Sequence, residues 1–270
     1  MSAFFDPSDP GSTHLKVSKH TASKTQQEIC LRLGRLGHSA KYSHADNAIY
    51  VFGGQQEREG GAGTVRDFQN DLWKLCLSTG KYDRVMISHM AQVARRIYTT
   101  SFMISQYFFA IGGLSINGEC LDDILMLDTV QKKCSTIVRE TNKSMKHLRK
   151  LCSSACVPAF YASRYDETGI NLSLEKVSQE IDWSIALSMI KYEGIYHFGG
   201  RDEKNNASNR LVVIQIKKNE TTTQGTCAGE PQVTLVKLEP KGIPPPGRYM
   251  HTMTYFQEKS LVTIAGGRND

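Results

Sequence analysis

Four times in this chain an apolar run stops at a pair of glycines. The runs are Ile49-Tyr50-Val51-Phe52-Gly53-Gly54, Tyr107-Phe108-Phe109-Ala110-Ile111-Gly112-Gly113, Ile195-Tyr196-His197-Phe198-Gly199-Gly200 and Leu261-Val262-Thr263-Ile264-Ala265-Gly266-Gly267. Aromatic and β-branched residues fit a pleated surface, and paired glycines let the backbone leave that surface at positive φ. One such pair is punctuation. Four with similar neighbours form a building unit, and a repeat decides the architecture before other signals are weighed.

The neighbours align. His38 and His251 each stand fifteen positions before the first glycine of their copy, inside Gly34-Arg35-Leu36-Gly37-His38 and Gly247-Arg248-Tyr249-Met250-His251. The second copy, Arg95-Arg96-Ile97-Tyr98-Thr99, keeps arginine without the histidine; the third, placed at Ile181-Asp182-Trp183-Ser184, keeps neither. Short polar turns precede each glycine-terminated run: Ala45-Asp46-Asn47-Ala48, Ile104-Ser105-Gln106, Lys191-Tyr192-Glu193-Gly194 and Gln257-Glu258-Lys259-Ser260. They predict hairpins. After the glycines comes a third strand, at Asn70 to Leu77, Asp123 to Asp128 and Asn209 to Ile216, then a turn and an outer strand such as Tyr82-Asp83-Arg84-Val85. A small twisted sheet of four strands cannot bury its faces alone, so repeated sheets must stack, which points to a β-propeller.

The double glycine after an aromatic-rich strand, the Arg-x-x-His before it and Asn70-Asp71-Leu72-Trp73 after it resemble kelch repeats over roughly residues 34 to 270. The resemblance implies an all-β fold of kelch-type β-propeller blades, three complete and the first half of a fourth. The expected boundaries are about 34–86, 94–138, 182–240 and 247–270, with an insertion at 138–182. Ahead of them lies a polar, loose N-terminal tail, 1–33, holding a possible edge strand at 28–33. Gly53, Gly54, Gly112, Gly113, Gly199, Gly200, Gly266 and Gly267, with Arg35, His38, Arg248 and His251, then read as structural repeat positions. The sequence departs from the family at Cys134, where copy one has Tyr82 on the outer strand. A WD-repeat reading fails, because no Gly-His…Trp-Asp spacing recurs.

Composition is ordinary for a folded protein: 270 residues, 40% hydrophobic and 22% charged. No run approaches the roughly 18 apolar residues of a membrane helix. The start lacks a basic segment followed by an apolar one, so no secretory signal is expected. Seven irregularly spaced cysteines then read as reduced thiols. Cys152 and Cys156 form the one close pair and lack a second half-site for zinc, so no metal and no cofactor are expected. The net charge of +6 allows an acidic partner without identifying one. The basic run Lys143 to Lys150 reads as a solvated face, which makes nucleic acid an unfavoured partner.

Glycine pairs 59, 87 and 67 positions apart exceed the roughly 50 residues of a kelch unit, so insertions must be present. In a four-stranded meander the loops between strands two and three share a face with the links between blades. Sorting insertions by that rule places seven extra residues near Gln55 to Gly63, and the long segment Val138 to Asp182 with a short helix at Leu174 to Glu180, on one face. Lys217 to Gln232 falls on the other. Insertions gathered on one face mark it for binding. Arg201 and Arg268 are the leading partner-binding candidates there, joined by Gln55, Arg58, Arg95 and Arg96; arginine grips carboxylates through paired hydrogen bonds. Trp73 and Trp183 read as packing residues.

No nucleophile motif, carboxylate pair or metal signature stands out, so an enzyme is not expected. The expected function is a cytoplasmic protein-interaction scaffold binding another protein or an acidic peptide, with the nucleus as an alternative location. Substrate recognition for a cullin-RING-type ubiquitin ligase is the alternative role, and a kelch-fold oxidase or sialic-acid isomerase a weaker one. The fourth unit ends at Asp270 after its glycines, which reads as a piece of a longer propeller, an assembly closed by another chain, or an open stack.

Overall fold

The structure, a computed structural model, describes residues 2–4, 16–18, 34–60, 63–137, 151–159, 165–166, 169–170, 193–218, 231–238, 241–256 and 261–269. The chain divides into two compact units, Met1–Gly34 and Arg35–Asp270. In the first, where a loose tail was expected, Ser2–Phe4 pairs antiparallel with Lys16–Ser18. The expected edge strand at 28–33 lies outside the described residues. So do Trp183, the basic run 143–150 and the expected helix at 174–180.

The second unit is all β. Three four-stranded antiparallel sheets and a two-stranded one follow each other along the chain. Sheet one is Ser39–Ser43, Ala48–Phe52, Leu72–Cys76 and Lys81–Val85. Sheet two is Thr100–Ile104, Tyr107–Ile111, Ile124–Asp128 and Lys133–Thr136. Sheet three is Ala155–Ala159, Gly194–Phe198, Leu211–Lys218 and Pro231–Lys237, and sheet four is Tyr249–Phe256 with Leu261–Arg268. Each is a meander, with strand order following chain order. Leu75 faces Tyr82 in sheet one as Leu127 faces Cys134 in sheet two, so the two outer strands share one register.

Burial along the second strands follows from stacking. Side chains alternate between the two faces of a strand. In Tyr107–Ile111, Phe108 and Ala110 pack with Ala48, Tyr50, Phe52 and Leu72 of sheet one. Phe109, Tyr107 and Ile111 turn the other way, toward Cys156, Ile195 and Ile214 of sheet three. Both faces are covered, so the run is apolar throughout. Ala48–Phe52 has sheet two on one face, and its burial alternates accordingly. Tyr196 and Val213 of sheet three meet Met253, Tyr255 and Val262 of sheet four. Fully burying one side chain of this size contributes about 1.5–3 kcal/mol, so these three seams carry the stability of the stack.

Sheet three corrects the sequence expectation. Its first strand is Ala155–Ala159, paired residue for residue with Gly194–Phe198, and not the segment after Ile181. Gly194 faces Ala159 rather than closing a four-residue turn from Lys191. The sheet therefore begins near residue 151, not 182. Most of the long segment expected between two blades lies inside one, between its first and second strands. Residues 160–193 therefore connect the first and second strands of one sheet, where the sequence placed residues up to 182 between two sheets. The insertion near Gln55 is itself a ribbon: Gln55–Gly60 pairs with Gly63–Phe68.

Candidate binding face

The glycine pairs do their work between sheets. A Cβ on Gly53 would stand 2.9 Å from the Arg96 carbonyl, and one on Gly112 would stand 2.6 Å from the Leu151 carbonyl. On Gly199 it would strike the Arg248 carbonyl. Each of these three glycines thus lies against the backbone that opens the next sheet, at positive φ. The second glycine bonds to the same residue: the Gly54 N–H donates to Arg96 O at 2.9 Å, that of Gly113 to Leu151 O at 3.3 Å and that of Gly200 to Arg248 O at 2.9 Å.

Two positions after each opening residue runs a second seam. Gly37, Tyr98, Ser153 and Met250 all adopt the left-handed conformation, with φ of 67°, 56°, 56° and 56°. The Tyr98 N–H donates to Gly37 O (2.7 Å), Ser153 N–H to Tyr98 O (2.9 Å) and Met250 N–H to Ser153 O (2.8 Å). A left-handed tyrosine or methionine is strained, and here it persists because the cross-sheet ladder holds it. Sequence reading missed this ladder, since glycine, its usual sign, occupies one rung of four.

The arginine of each opening segment ties its own sheet together. Arg35 donates to Gly53 O at 2.8 Å and to Asp71 at 2.6 and 3.4 Å. Burial pushes the Asp71 carboxyl up, but hydrogen bonds from Arg35 and Trp73 outweigh it, and the carboxyl ends below its ordinary value. Arg96 repeats the arrangement with Gly112 O at 3.0 Å and Asp123 at 2.6 and 2.7 Å. Arg248 donates to Gly266 O at 3.0 Å. In sheet three the arginine is replaced by Leu151 and the aspartate by Arg210, so both halves of the pair are exchanged together. Arg96, expected on the exposed binding face, is instead wholly buried with its guanidinium on Ala94 O, Gly112 O and Asp123. Gln55, expected there too, is likewise buried.

His38 and His251 occupy equivalent positions and differ in surroundings. His251 is buried edge-on to Phe198, with ring centroids 5.4 Å apart, and lies against Gly199. Burial first, then the nearby Arg248 charge, lowers its pKa below the ordinary histidine value. His38 is exposed, with Nδ1 3.0 Å from Arg35 O.

The residues after the glycine pairs line up beside the opening segments. Gln55 bridges Leu36, Leu114 pairs with Ile97, Arg201 bridges Cys152 and Arg268 pairs with Tyr249. On this face Arg201 lies over two rings, 5.3 Å from the centroid of Tyr249 and 5.9 Å from that of Tyr98, while Nη1 donates to Asn205 at 2.9 Å. Arg268 lies 5.9 Å from the Tyr249 centroid and is exposed. Two guanidinium groups therefore share one ring in a cation–π arrangement that orients both. Tyr98 and Tyr249 were not singled out from sequence, and they stand at different positions of their opening segments. Arg95 is exposed but pairs with Asp67 at 2.7 Å. Arg58 lies on the Gln55–Gly60 ribbon strand, and its side chain is outside the described set.

No family model matches the chain, and no curated protein matches it. Among solved structures it is similar to YjhT, a kelch-type β-propeller, with a TM-score of 0.53 over 86% of this chain at 12% identity. The chain spans 59% of the length of that structure. The similarity supports a propeller-like all-β fold. No helix among the described residues is long and apolar enough to cross a membrane.

Proposed function

We propose that this protein is a binding module built from kelch-type blades, three of four strands and a fourth represented by two. Its loop face takes an acidic segment of a partner protein. The observation that carries this reading is the sharing of the Tyr249 ring by Arg201 and Arg268. Packed rings hold both guanidiniums on one face, where a carboxylate can accept paired hydrogen bonds from them. Binding, rather than a reaction, is the role these groups fit.

A fluorescently labelled glutamate-rich peptide serves as probe. Each charge-assisted hydrogen bond contributes about 1.5–3 kcal/mol, so Arg201→Glu/Arg268→Glu is expected to weaken binding at least tenfold. Affinity should also fall as salt is raised. Equal affinity of the wild type and the double variant, with unchanged circular dichroism, overturns the reading.

A further inference from the structure

Beside Arg201 sit two thiols that the binding reading does not use. Cys120 lies in the loop between strands two and three of sheet two, directly after exposed residues 116–119. Cys152 opens sheet three: its N–H donates to Arg201 O at 3.0 Å and its carbonyl accepts from the Arg201 N–H at 3.0 Å. The Cys120 thiol points at the same Arg201 carbonyl, 3.9 Å away. Both cysteines are buried and free, and both reach the Arg201 carbonyl from opposite sides of the seam between sheets two and three. The neighbouring Cys120 thiol, with help from the Arg201 guanidinium and against the cost of burial, draws the Cys152 thiol below its ordinary value, and the same pairing raises that of Cys120. An acidified thiol beside a cation and next to a second thiol is the arrangement of an exchanging pair.

We propose that Cys120 and Cys152 form a reversible disulfide by exchange with a low-molecular-weight disulfide such as oxidised glutathione. The Cys152 thiolate attacks one sulfur of that disulfide and expels the first glutathione thiolate, leaving a mixed disulfide on Cys152. Cys120 gives its proton to solvent and attacks the Cys152 sulfur, expelling the second. Two protein thiols become one disulfide, and one oxidised glutathione becomes two reduced molecules. Opening of the surface turn at residues 116–119 gives the reagent access, since short exposed turns open at little cost. The bond ties the sheet-two loop to the first residues of sheet three. It also removes the thiolate held against Arg201. If the loop face binds acidic segments as proposed above, a competing anion is thereby withdrawn, and the oxidised protein binds such segments more tightly.

The full chain is equilibrated over a range of glutathione ratios and mapped by mass spectrometry without reduction. A link between the Cys120 peptide and the 151–164 peptide is expected, with fragmentation placing it on Cys152 rather than Cys156. Cys120→Ser should instead accumulate a glutathione adduct on Cys152. Failure to form a bridge at any ratio, or a bridge joining other cysteines, overturns the proposal. Binding of the glutamate-rich peptide to oxidised and reduced protein is then compared, with at least threefold tighter binding expected after oxidation. A bridge that forms without changing affinity refutes the link to Arg201 alone. Absence of peptide binding in both states refutes the acidic-segment reading and leaves the bridge standing.

Discussion

Replacing Asp123 by alanine tests how the opening arginines act. The Arg96 side chain is fully buried and donates to Ala94 O and Gly112 O, both at 3.0 Å, and to both carboxylate oxygens of Asp123 at 2.6 and 2.7 Å. Asp123→Ala leaves the guanidinium buried with its carbonyl partners and no counter-charge. Breaking a buried pair from one side costs about 3–5 kcal/mol, and because Asp123 is itself about a quarter exposed the lower end, roughly 3 kcal/mol, is expected. Sheet three supplies the control, since Leu151 and Arg210 replace both partners there. Arg96→Leu/Asp123→Ala strands no charge, so the two changes should couple by at least about 2 kcal/mol relative to their sum. Urea unfolding by circular dichroism gives the four stabilities of the cycle by linear extrapolation. A loss below about 1 kcal/mol for Asp123→Ala, or additive single variants, would show that the pair is not the clamp inferred from its geometry.

Three further outcomes are expected. Gly112→Ala places a methyl 2.6 Å from Leu151 O, whereas Gly266→Ala meets no described atom within 4 Å; both share the positive-φ penalty of roughly 1 kcal/mol, so thermal denaturation should show Gly112→Ala losing at least about 2 kcal/mol more. The Asp71 pKa is depressed in the folded state, so its contribution to stability is present above the unfolded value near pH 4 and lost as pH falls through the folded value; the deficit of Asp71→Asn relative to wild type, measured by urea titration, should be full at pH 7 and shrink below about pH 4. At Cys76 hydrogen bonds from Ser78 and Thr79, side chains first and backbone second, bring the thiol down to about 7, so its alkylation by iodoacetamide should reach half its maximal rate near pH 7, and at a higher pH in Ser78→Ala/Thr79→Ala.

What sequence alone disclosed follows from how locally each feature is specified. The second strands and their glycine ends were legible because packing on two faces demands a continuous apolar run, as in Tyr107–Ile111, and because the close approach of Gly112 to Leu151 O excludes a side chain. The start of sheet three was misplaced because its markers are gone: Leu151 stands where arginine was sought, and Ser154 where histidine was. The connection that follows is long enough to make a segment after Ile181 look like the partner of Gly194–Phe198. At the candidate face, Arg201 and Arg268 could be named from their place after the glycines. Tyr98 and Tyr249 could not, because they belong to different sheets and meet Arg201 only after folding. Arg96 was assigned to the surface because the sequence gives no sign that Asp123 receives it.

The ladder through Gly37, Tyr98, Ser153 and Met250 counts sheets, not residues. Its rungs are 61, 55 and 97 positions apart in the chain, yet each is one hydrogen bond of 2.7–2.9 Å from the next. Length added within a sheet, as between Ala159 and Gly194, is invisible to it. Loop closure adds only about 0.6 kcal/mol per doubling of loop length. Such a scaffold can accept foreign segments at its strand one–two turns while its axis keeps its spacing. Diversity in this architecture can therefore collect far from the residues that set its geometry.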